Sequence, residues 1–241
     1  MTLPLAIFSS FTGAFDFILH PREAVTGGGV QVGGPEYVWH FARTQLEVTV
    51  IALALSLAIA LPIGLVLGHL GKGEVLAVGF GNAGRAVPEI VVILLLAAVI
   101  GIGLRNVAIA LMILGLPPIL TNTYVALRQV DPTAVDAARG TGMNGAQVIT
   151  RVELPLAAPT IMSGVRTSAI NIFATATIAS FVGLSTLGDL VTGRNVYGDD
   201  GVVAGAIVIA LLAMAIELAL AGVQRLVTPR GLKLQRMRQG A

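Results

Sequence analysis

The sequence contains no cysteine and few charged residues, and both absences narrow the class of protein. Without cysteine in its 241 residues, the chain has no disulfide framework and no thiolate metal site. Charged residues make up 12%, against about a quarter in a soluble domain. Hydrophobic residues make up 55%, and the mean hydropathy is +0.87. We therefore expect an all-α polytopic membrane protein.

Signatures of nucleotide binding are also missing or incomplete. Gly71-Lys72 is followed by Gly73, where a phosphate-binding loop needs Ser or Thr. The segment from Gly79 to Gly84 has the Gly-x-Gly-x-x-Gly spacing of a dinucleotide-binding turn, entered by a short strand-like run. However, no acidic residue occurs between Glu89 and Asp131 to hold the ribose. We interpret these glycines as packing residues, with a membrane-bound dehydrogenase as an alternative.

No group of side chains has the spacing of a metal site or a catalytic centre. His69 lies near the end of an apolar run, with no second His, Cys or carboxylate at ligand spacing. We expect it to be a helix-end or interface residue. Glu217 lies in the last turns of another apolar run, where a carboxylate is a functional hypothesis by default. Because it could reach the membrane interface, we favour a structural role.

Long apolar runs predict about five membrane spans. Their approximate bounds are 44–70, 87–103, 107–127, 157–187 and 202–223. Together they define a transmembrane domain over residues 44–227.

The two ends of the chain differ in character from the spans. Residues 1–43 form an N-terminal extension: apolar side chains in 1–20 recur on one helical face, and 21–36 are rich in glycine. We predict an interfacial amphipathic helix, or alternatively an extra span, followed by a loop. Residues 228–241 form a basic tail.

Two spans contain features that could belong to a transport pathway. The Pro117-Pro118 pair is expected to break and kink the third span, and broken helices often line a pathway, although a simple packing kink is an equal alternative. The fourth span is rich in small residues, so it is a candidate to face a partner subunit or the pathway, with packing inside the chain as the alternative. The pathway candidates are Pro117, Pro118, Asn122, Thr167, Asn171 and Thr175.

A polar segment at 131–155 separates the third and fourth spans. Asp131 and Pro132 suit the start of a short helix that runs to Arg139, and Gly140 and Gly142 can end it in the left-handed conformation. We predict a second short helix over 144–151, closed by Pro155. Two short helices at a glycine hinge would make a compact knob at one membrane face.

The spacing inside this segment resembles the cytoplasmic coupling loop of ABC-importer permeases. That family's pattern is Glu-Ala-Ala, three residues, Gly, nine residues, Ile, one residue, Leu-Pro. Here Asp replaces Glu and Val replaces Ile, so charge and branching are kept. The matching residues are Asp136, Ala137, Ala138, Gly142, Val152, Leu154 and Pro155.

A wider set of residues resembles the osmoprotectant permeases, over roughly residues 44–227. The segments that carry this resemblance are 120–124, 130–132, 137–143, 152–156, 164–167, 183–190 and 205–207. The resemblance implies the type I importer permease fold, with the coupling helix between spans three and four. It implies import of glycine betaine, carnitine, choline or proline betaine.

The same resemblance implies partners and a non-catalytic role. A separate cytoplasmic ABC ATPase would bind ATP and Mg²⁺, so no cofactor is expected in this chain and no catalytic residue. A second permease chain, identical or homologous, and an extracytoplasmic solute-binding protein would complete the importer; no nucleic acid is expected. An ion-gradient-driven secondary transporter, or an ABC permease for a different small polar solute, remains an alternative.

The distribution of basic residues predicts the orientation in a bacterial cytoplasmic membrane. Basic residues follow the last span, and an excess of Lys and Arg marks the cytoplasmic side. They are Arg225, Arg230, Lys233, Arg236 and Arg238. Counting back through about five spans puts the 131–155 knob in the cytoplasm and the N-terminus outside.

Overall fold

Helices make up most of the computed structural model, which describes residues 3–79 and 88–229. The helices are α1 Leu3–Leu19, α2 Pro35–Leu70, α3 Glu89–Ile100, α4 Leu104–Arg128, α5 Pro132–Gly140, α6 Gly145–Val148, α7 Leu154–Ala176, α8 Leu187–Thr192 and α9 Arg194–Val227. Val75–Gly79 and Ile149–Glu153 are single π-helical turns, and Thr177–Val182 is a 3-10 helix. The basic residues from Arg230 onward lie outside the described residues.

Four helical stretches among the described residues are long and apolar enough to cross a membrane. They are α2, α4, Gly145–Val182 and α9. This arrangement confirms the predicted all-α polytopic fold. The span predicted at 87–103 is the 12-residue helix α3, which at 1.5 Å per residue is about 18 Å long and shorter than a hydrocarbon core of about 30 Å. The helix in this segment is therefore shorter than the predicted bounds of 87–103.

The glycine-rich segment ahead of the first span contains a small hairpin where a loop was predicted. Strands β1 Pro21–Glu23 and β2 Gln31–Gly33 pair antiparallel, with Arg22 opposite Val32. Gly27, Gly28 and Gly29 have φ values of 72°, 79° and 73°, a left-handed run that reverses the chain. Because the turn brings two backbone segments together, they pair although their side chains give little strand signal. Helix α2 then begins at Pro35, earlier than predicted.

One compact unit comprises residues 1–51, 89–111 and 172–215. Its core contains the fully buried Phe17, Leu187 and Leu190. The Arg22 guanidinium lies 4.8 Å from the centre of the Phe17 ring and binds the Asp200 carboxylate at 2.8 Å. Helix α1, 17 residues long, therefore packs into this unit through Phe17.

A buried glutamine connects three elements of this unit. The Gln45 side chain is fully buried in α2. Its amide nitrogen donates to the Phe173 carbonyl at 3.1 Å, and its amide oxygen accepts from the Leu187 N–H at 3.1 Å. Since an unpaired amide in an apolar interior is costly, these two bonds fix the start of α8 against α2.

The second unit comprises residues 52–88, 112–171 and 216–241. Within it, α2 and α4 approach closely at two glycines. A Cβ on Gly64 would lie 2.7 Å from the Thr123 Cβ, and a Cβ on Gly68 would lie 2.8 Å from the Leu127 Cβ. The opposite face of this part of α2 exposes large apolar side chains, as expected for contact with lipid. They are Leu55, Ile59, Ile63, Val66 and Leu70.

The proline pair in α4 does not interrupt the helix. Helix α4 runs from Leu104 to Arg128 with Pro117 and Pro118 inside it, so the predicted break is wrong. Side-chain donors bind carbonyls around the pair: the Ser56 hydroxyl donates to the Met112 carbonyl at 2.9 Å and the Ser168 hydroxyl to the Gly115 carbonyl at 2.9 Å. Neighbouring hydroxyls of this kind let membrane helices tolerate proline.

Substitution of Gly64 tests the close packing of α2 on α4. We expect Gly64→Ala to lower the melting temperature of the purified protein, because the new methyl group would overlap Thr123. Gly222→Ala is the matched control, since a Cβ there meets no atom within 4 Å. Alanine in a helix is more favourable than glycine by about 1 kcal/mol, so the control substitution should be neutral or stabilising. Equal melting temperatures for the two variants would contradict the packing.

Candidate functional site

The segment between α4 and α7 folds as a knob, which we define as residues 131–155. Asp131 caps α5: its Oδ1 accepts from the Thr133 N–H at 2.9 Å and from the Thr133 hydroxyl at 2.8 Å. Pro132 occupies the first turn, where its missing N–H has no partner to lose. These hydrogen bonds, the hydroxyl first, hold the pKa of the Asp131 carboxyl below its usual value.

A single left-handed glycine makes the hinge of the knob. Gly142 has φ of +86°, whereas Gly140 is the last residue of α5 and has no positive φ. The prediction that both glycines end the helix by left-handed geometry is therefore wrong for Gly140. Asn144 and Gln147 then form a reciprocal capping box with hydrogen bonds of 2.9 and 3.0 Å, which starts α6.

The second half of the knob continues into the membrane helix without ending at Pro155. Helix α6 passes through the π-turn Ile149–Glu153 directly into α7, so the predicted closure of the helix at Pro155 is wrong. Pro155 is the second residue of α7. Proline is tolerated in a first helical turn, and the wide π-turn before it changes the hydrogen-bond register there.

The motif residues fall into an exposed group and an anchored group. Asp136 and Ala137 are exposed on α5, while Ala138 is buried. The N-cap of α5 is Asp131 and not Asp136. Val152, Leu154 and Pro155 are partly buried.

Apolar side chains attach the knob to the helices of the second unit. Val135 from α5 and Leu154 from the motif pack against a buried cluster that includes Leu127 and Ile161. The knob is thus held by its inward face, and Asp136 and Ala137 remain accessible on the other.

One contact of the knob was not predicted from the sequence. His69 Nδ1 at the end of α2 lies 2.8 Å from Glu153 Oε2, with side-chain exposures of 14% and 6%. Because the partners are separated by 84 positions, no local spacing could reveal the pair. His69 was correctly placed at a helix end, but it has a carboxylate partner.

A second polar network lies within the apolar helices of this unit. Arg166 in α7 pairs with Glu217 in α9 and donates to the Gln224 side chain, which in turn donates to the Pro159 carbonyl at 2.7 Å. This arrangement supports the structural role expected for Glu217. Arg166 was missed, although each partner is the lone charge of an apolar run, and two lone charges of opposite sign are a recognisable signal.

The pathway candidates divide by exposure. Thr167 and Asn171 are exposed on α7, on the same face as Ser163. Asn122 is partly buried and its amide donates to the Pro118 carbonyl at 2.8 Å.

The remaining candidates are interior residues. Pro117 and Pro118 are buried in α4, and the hydroxyl of the buried Thr175 donates to Glu89 at 2.5 Å. The candidates therefore do not form one continuous surface.

Comparison with known proteins identifies the family. The model of the family described as binding-protein-dependent transport system inner membrane component matches residues 60–232. The chain belongs to this family. Like other members of this inner membrane transport family, it is a multi-pass membrane protein.

Two permease proteins of Bacillus subtilis (strain 168) resemble the chain over most of its length. The glycine betaine/carnitine/choline transport system permease protein OpuCB is 35% identical over 205 residues, covering 85% of this chain and 94% of that protein. The choline transport system permease protein OpuBB is 34% identical over 211 residues, covering 87% and 96%. These relatives favour an ABC permease over an ion-gradient-driven transporter and over a dehydrogenase.

A solved structure shows the same fold. An inward-facing structure of the MetNI methionine ABC transporter matches with a TM-score of 0.71 and 21% sequence identity, covering 80% of this chain and 96% of that one. The type I importer permease fold is thereby confirmed. The glycine segment considered for nicotinamide binding lies within the family match, and its residues 80–84 lie outside the described part of the structure. Val75–Gly79 is a π-turn and not the strand that a dinucleotide-binding turn would require.

Removal of the α5 cap should loosen the start of this helix at neutral pH. We expect Asp131→Ala to speed amide hydrogen exchange at Thr133, whereas Asp136→Ala, an exposed carboxylate of the same helix, should not. The pKa of Asp131 is lowered on folding, so its contribution is complete above the usual value of 3.8 and is lost as the pH falls through the lowered value. The difference in Thr133 exchange rate between wild type and Asp131→Ala should therefore shrink as the pH falls through the lowered value. Equal exchange rates of the two proteins at pH 7 would contradict the cap.

Proposed function

We propose that this chain is the permease subunit of an ATP-driven importer for quaternary ammonium osmoprotectants such as glycine betaine, carnitine or choline. The observation that carries the proposal is the similarity to permeases named for these solutes, across 94% and 96% of their lengths. A permease for a different small polar solute is the alternative, because a relative at 35% identity does not fix the solute.

The knob is the proposed dock for a separate cytoplasmic ABC ATPase. Its inward face is attached through Val135 and Leu154, and Asp136 and Ala137 form an accessible outer face. Asp136 can pair with a basic group of the ATPase, and the small Ala137 permits close approach. ATP and Mg²⁺ bind to that partner, and this chain acts without a cofactor of its own and without catalysing hydrolysis.

Exposed polar side chains on α7 are the proposed lining of the pathway or the contact with a second permease chain. Ser163, Thr167 and Asn171 are spaced four residues apart on a helix that is apolar enough to cross the membrane. Polar groups on a membrane helix seldom face lipid, because lipid offers them no hydrogen-bond partner. The second permease chain is either identical or homologous.

Solute selection is proposed to reside in an extracytoplasmic binding protein. Quaternary ammonium groups bind in open aromatic cages. Among the described residues, the main aromatic cluster is closed: Tyr37 lies 5.1 Å from Phe41 and 6.2 Å from Tyr197, ring centre to ring centre. Arg22 already covers the ring of Phe17. The rings of this cluster are therefore already in contact with one another or with a cation.

The proposed orientation places the knob and the C-terminus in the cytoplasm and the N-terminus outside. Its support is the excess of basic residues at and beyond the end of the last span, where Arg225 lies in the last turn of α9. ATP-driven closure of two ATPases would then move the two knobs and rock the permease pair between outward-facing and inward-facing states.

Substitutions of two glycines in the knob test ATPase docking. We expect Gly142→Ala to reduce both co-purification of a co-expressed ABC ATPase and solute uptake, because a residue with a Cβ pays about 1–2 kcal/mol in the left-handed conformation. Gly140→Ala is the matched control: it lies two residues away, has no positive φ, and has open space at its Cβ. The measurements are the ATPase-to-permease ratio after purification and uptake of glycine betaine into vesicles.

The docking proposal fails if the two variants retain the ATPase equally. If docking is intact but glycine betaine, carnitine and choline all fail to enter the vesicles, the importer assignment stands and the solute class is wrong.

Cysteine accessibility tests the exposed face of α7. Because the chain has no cysteine, a single Asn171→Cys substitution gives one reactive thiol. We expect a membrane-impermeant thiol reagent to label it in vesicles and solute to slow the labelling. Leu218→Cys, at an apolar position that is 66% exposed on α9, should stay unlabelled in lipid. Labelling of Leu218→Cys alone would reverse the assignment of the two faces.

A further inference from the structure

Two polar side chains are buried where the knob returns to the membrane. His69 Nδ1 and Glu153 Oε2 are 2.8 Å apart, and the side chains expose only 14% and 6% of their surfaces. A carboxylate in such a site is costly unless a donor meets it. An ionised carboxylate only accepts hydrogen bonds, so Glu153 in that form needs the imidazole Nδ1–H as its donor.

The pair joins a membrane helix to the coupling motif itself. His69 is the penultimate residue of α2. Glu153 is the last residue of the π-turn and lies between the motif residues Val152 and Leu154. The bond therefore connects the end of the first span to the motif position that the family pattern leaves unspecified.

The imidazole ring also reaches the beginning of the second helix of the knob. A Cβ on Gly145, the first residue of α6, would lie 3.3 Å from His69 Nε2. The ring thus lies beside the start of α6 on one side and is bonded to Glu153 on the other. A displacement of the knob would act directly on this ring.

The knob also contacts the helices of its unit through the apolar side chains of Val135 and Leu154. Apolar contacts depend little on direction, whereas a hydrogen bond weakens steeply when its angle or length changes. The His69–Glu153 bond is thus suited to fix the angle between the knob and α2. Hydrogen-bond networks are one physical means by which energetic coupling passes between distant sites.

From this geometry we infer that His69 is a positioning residue for transport: its bond to Glu153 transmits the movement of the knob to the first span. The inference rests on the proposed function, since it requires an ATPase at the knob. Loss of the bond should leave a complex that assembles and hydrolyses ATP but moves less solute per ATP.

The experiment compares variants of the complete importer, with ATPase and binding protein, in vesicles. The measured quantity is glycine betaine taken up per ATP hydrolysed, together with the ATPase-to-permease ratio. His69→Phe fills the site without a donor, and we expect at least about a fivefold fall in uptake per ATP, the low end of coupling between sites. His69→Asn, whose amide nitrogen stands near the Nδ1 position, should restore the uptake per ATP.

A second histidine pair provides the matched control. His20 Nδ1 lies 2.9 Å from Asp16 Oδ1, but these side chains are 69% and 60% exposed. His20→Phe removes a bond of similar length away from the knob, and uptake per ATP should equal that of wild type.

The other possible outcomes contradict either the inference about His69 or the proposed function. Uptake per ATP that is normal in His69→Phe, with or without a lower yield of complex, shows a structural role only and overturns the inference. Failure of His69→Asn to restore the uptake per ATP also overturns the inference. If the His69→Phe complex does not assemble, His69→Gln replaces it, because glutamine moves the amide away from the Nδ1 position. Normal uptake per ATP in His69→Gln would then overturn the inference. Wild type without ATP-dependent uptake of any osmoprotectant contradicts the proposed function instead.

Discussion

The close approach of α2 and α4 is the constraint on which the second unit depends. Gly64 and Gly68 leave no room for a side chain against Thr123 and Leu127, so the two helices can be in contact along their backbones. The same approach brings the end of α2 to the knob, where His69 meets Glu153 at 2.8 Å. A methyl group at either glycine would separate the helices, and the hydrogen bond at the end of α2 would lengthen with them.

Polar groups inside the apolar helices are satisfied by other parts of the same chain. The Ser56 and Ser168 hydroxyls bind carbonyls near the proline pair of α4, and Gln45 bonds through both atoms of its amide. A lipid environment offers no competing donors or acceptors, so these bonds hold the helices in one arrangement.

The spacing of neighbouring residues predicted the local structure of the knob well, but it predicted poorly how the knob joins the other helices. The cap at Asp131 and the turn at Gly142 follow from the chemistry of neighbouring residues, and both were predicted. Closure at Pro155 was wrong because the helix continues from the π-turn Ile149–Glu153 directly into α7, where Pro155 is the second residue. The continuity of α4 could not be predicted from local spacing, because the donors around its prolines come from other helices.

The sequence by itself determined the membrane class, the helical fold and the position of the polar knob between α4 and α7. Apolar runs, the scarcity of charge and a motif of fixed spacing are properties of adjacent residues, so they can be read along the chain. Tertiary structure decided which lone polar residues become partners: His69 with Glu153, 84 positions apart, and Arg166 with Glu217, 51 positions apart. In an apolar medium an unpaired charge is costly, so each of these residues requires a partner, but only helix packing determines which residue lies within reach.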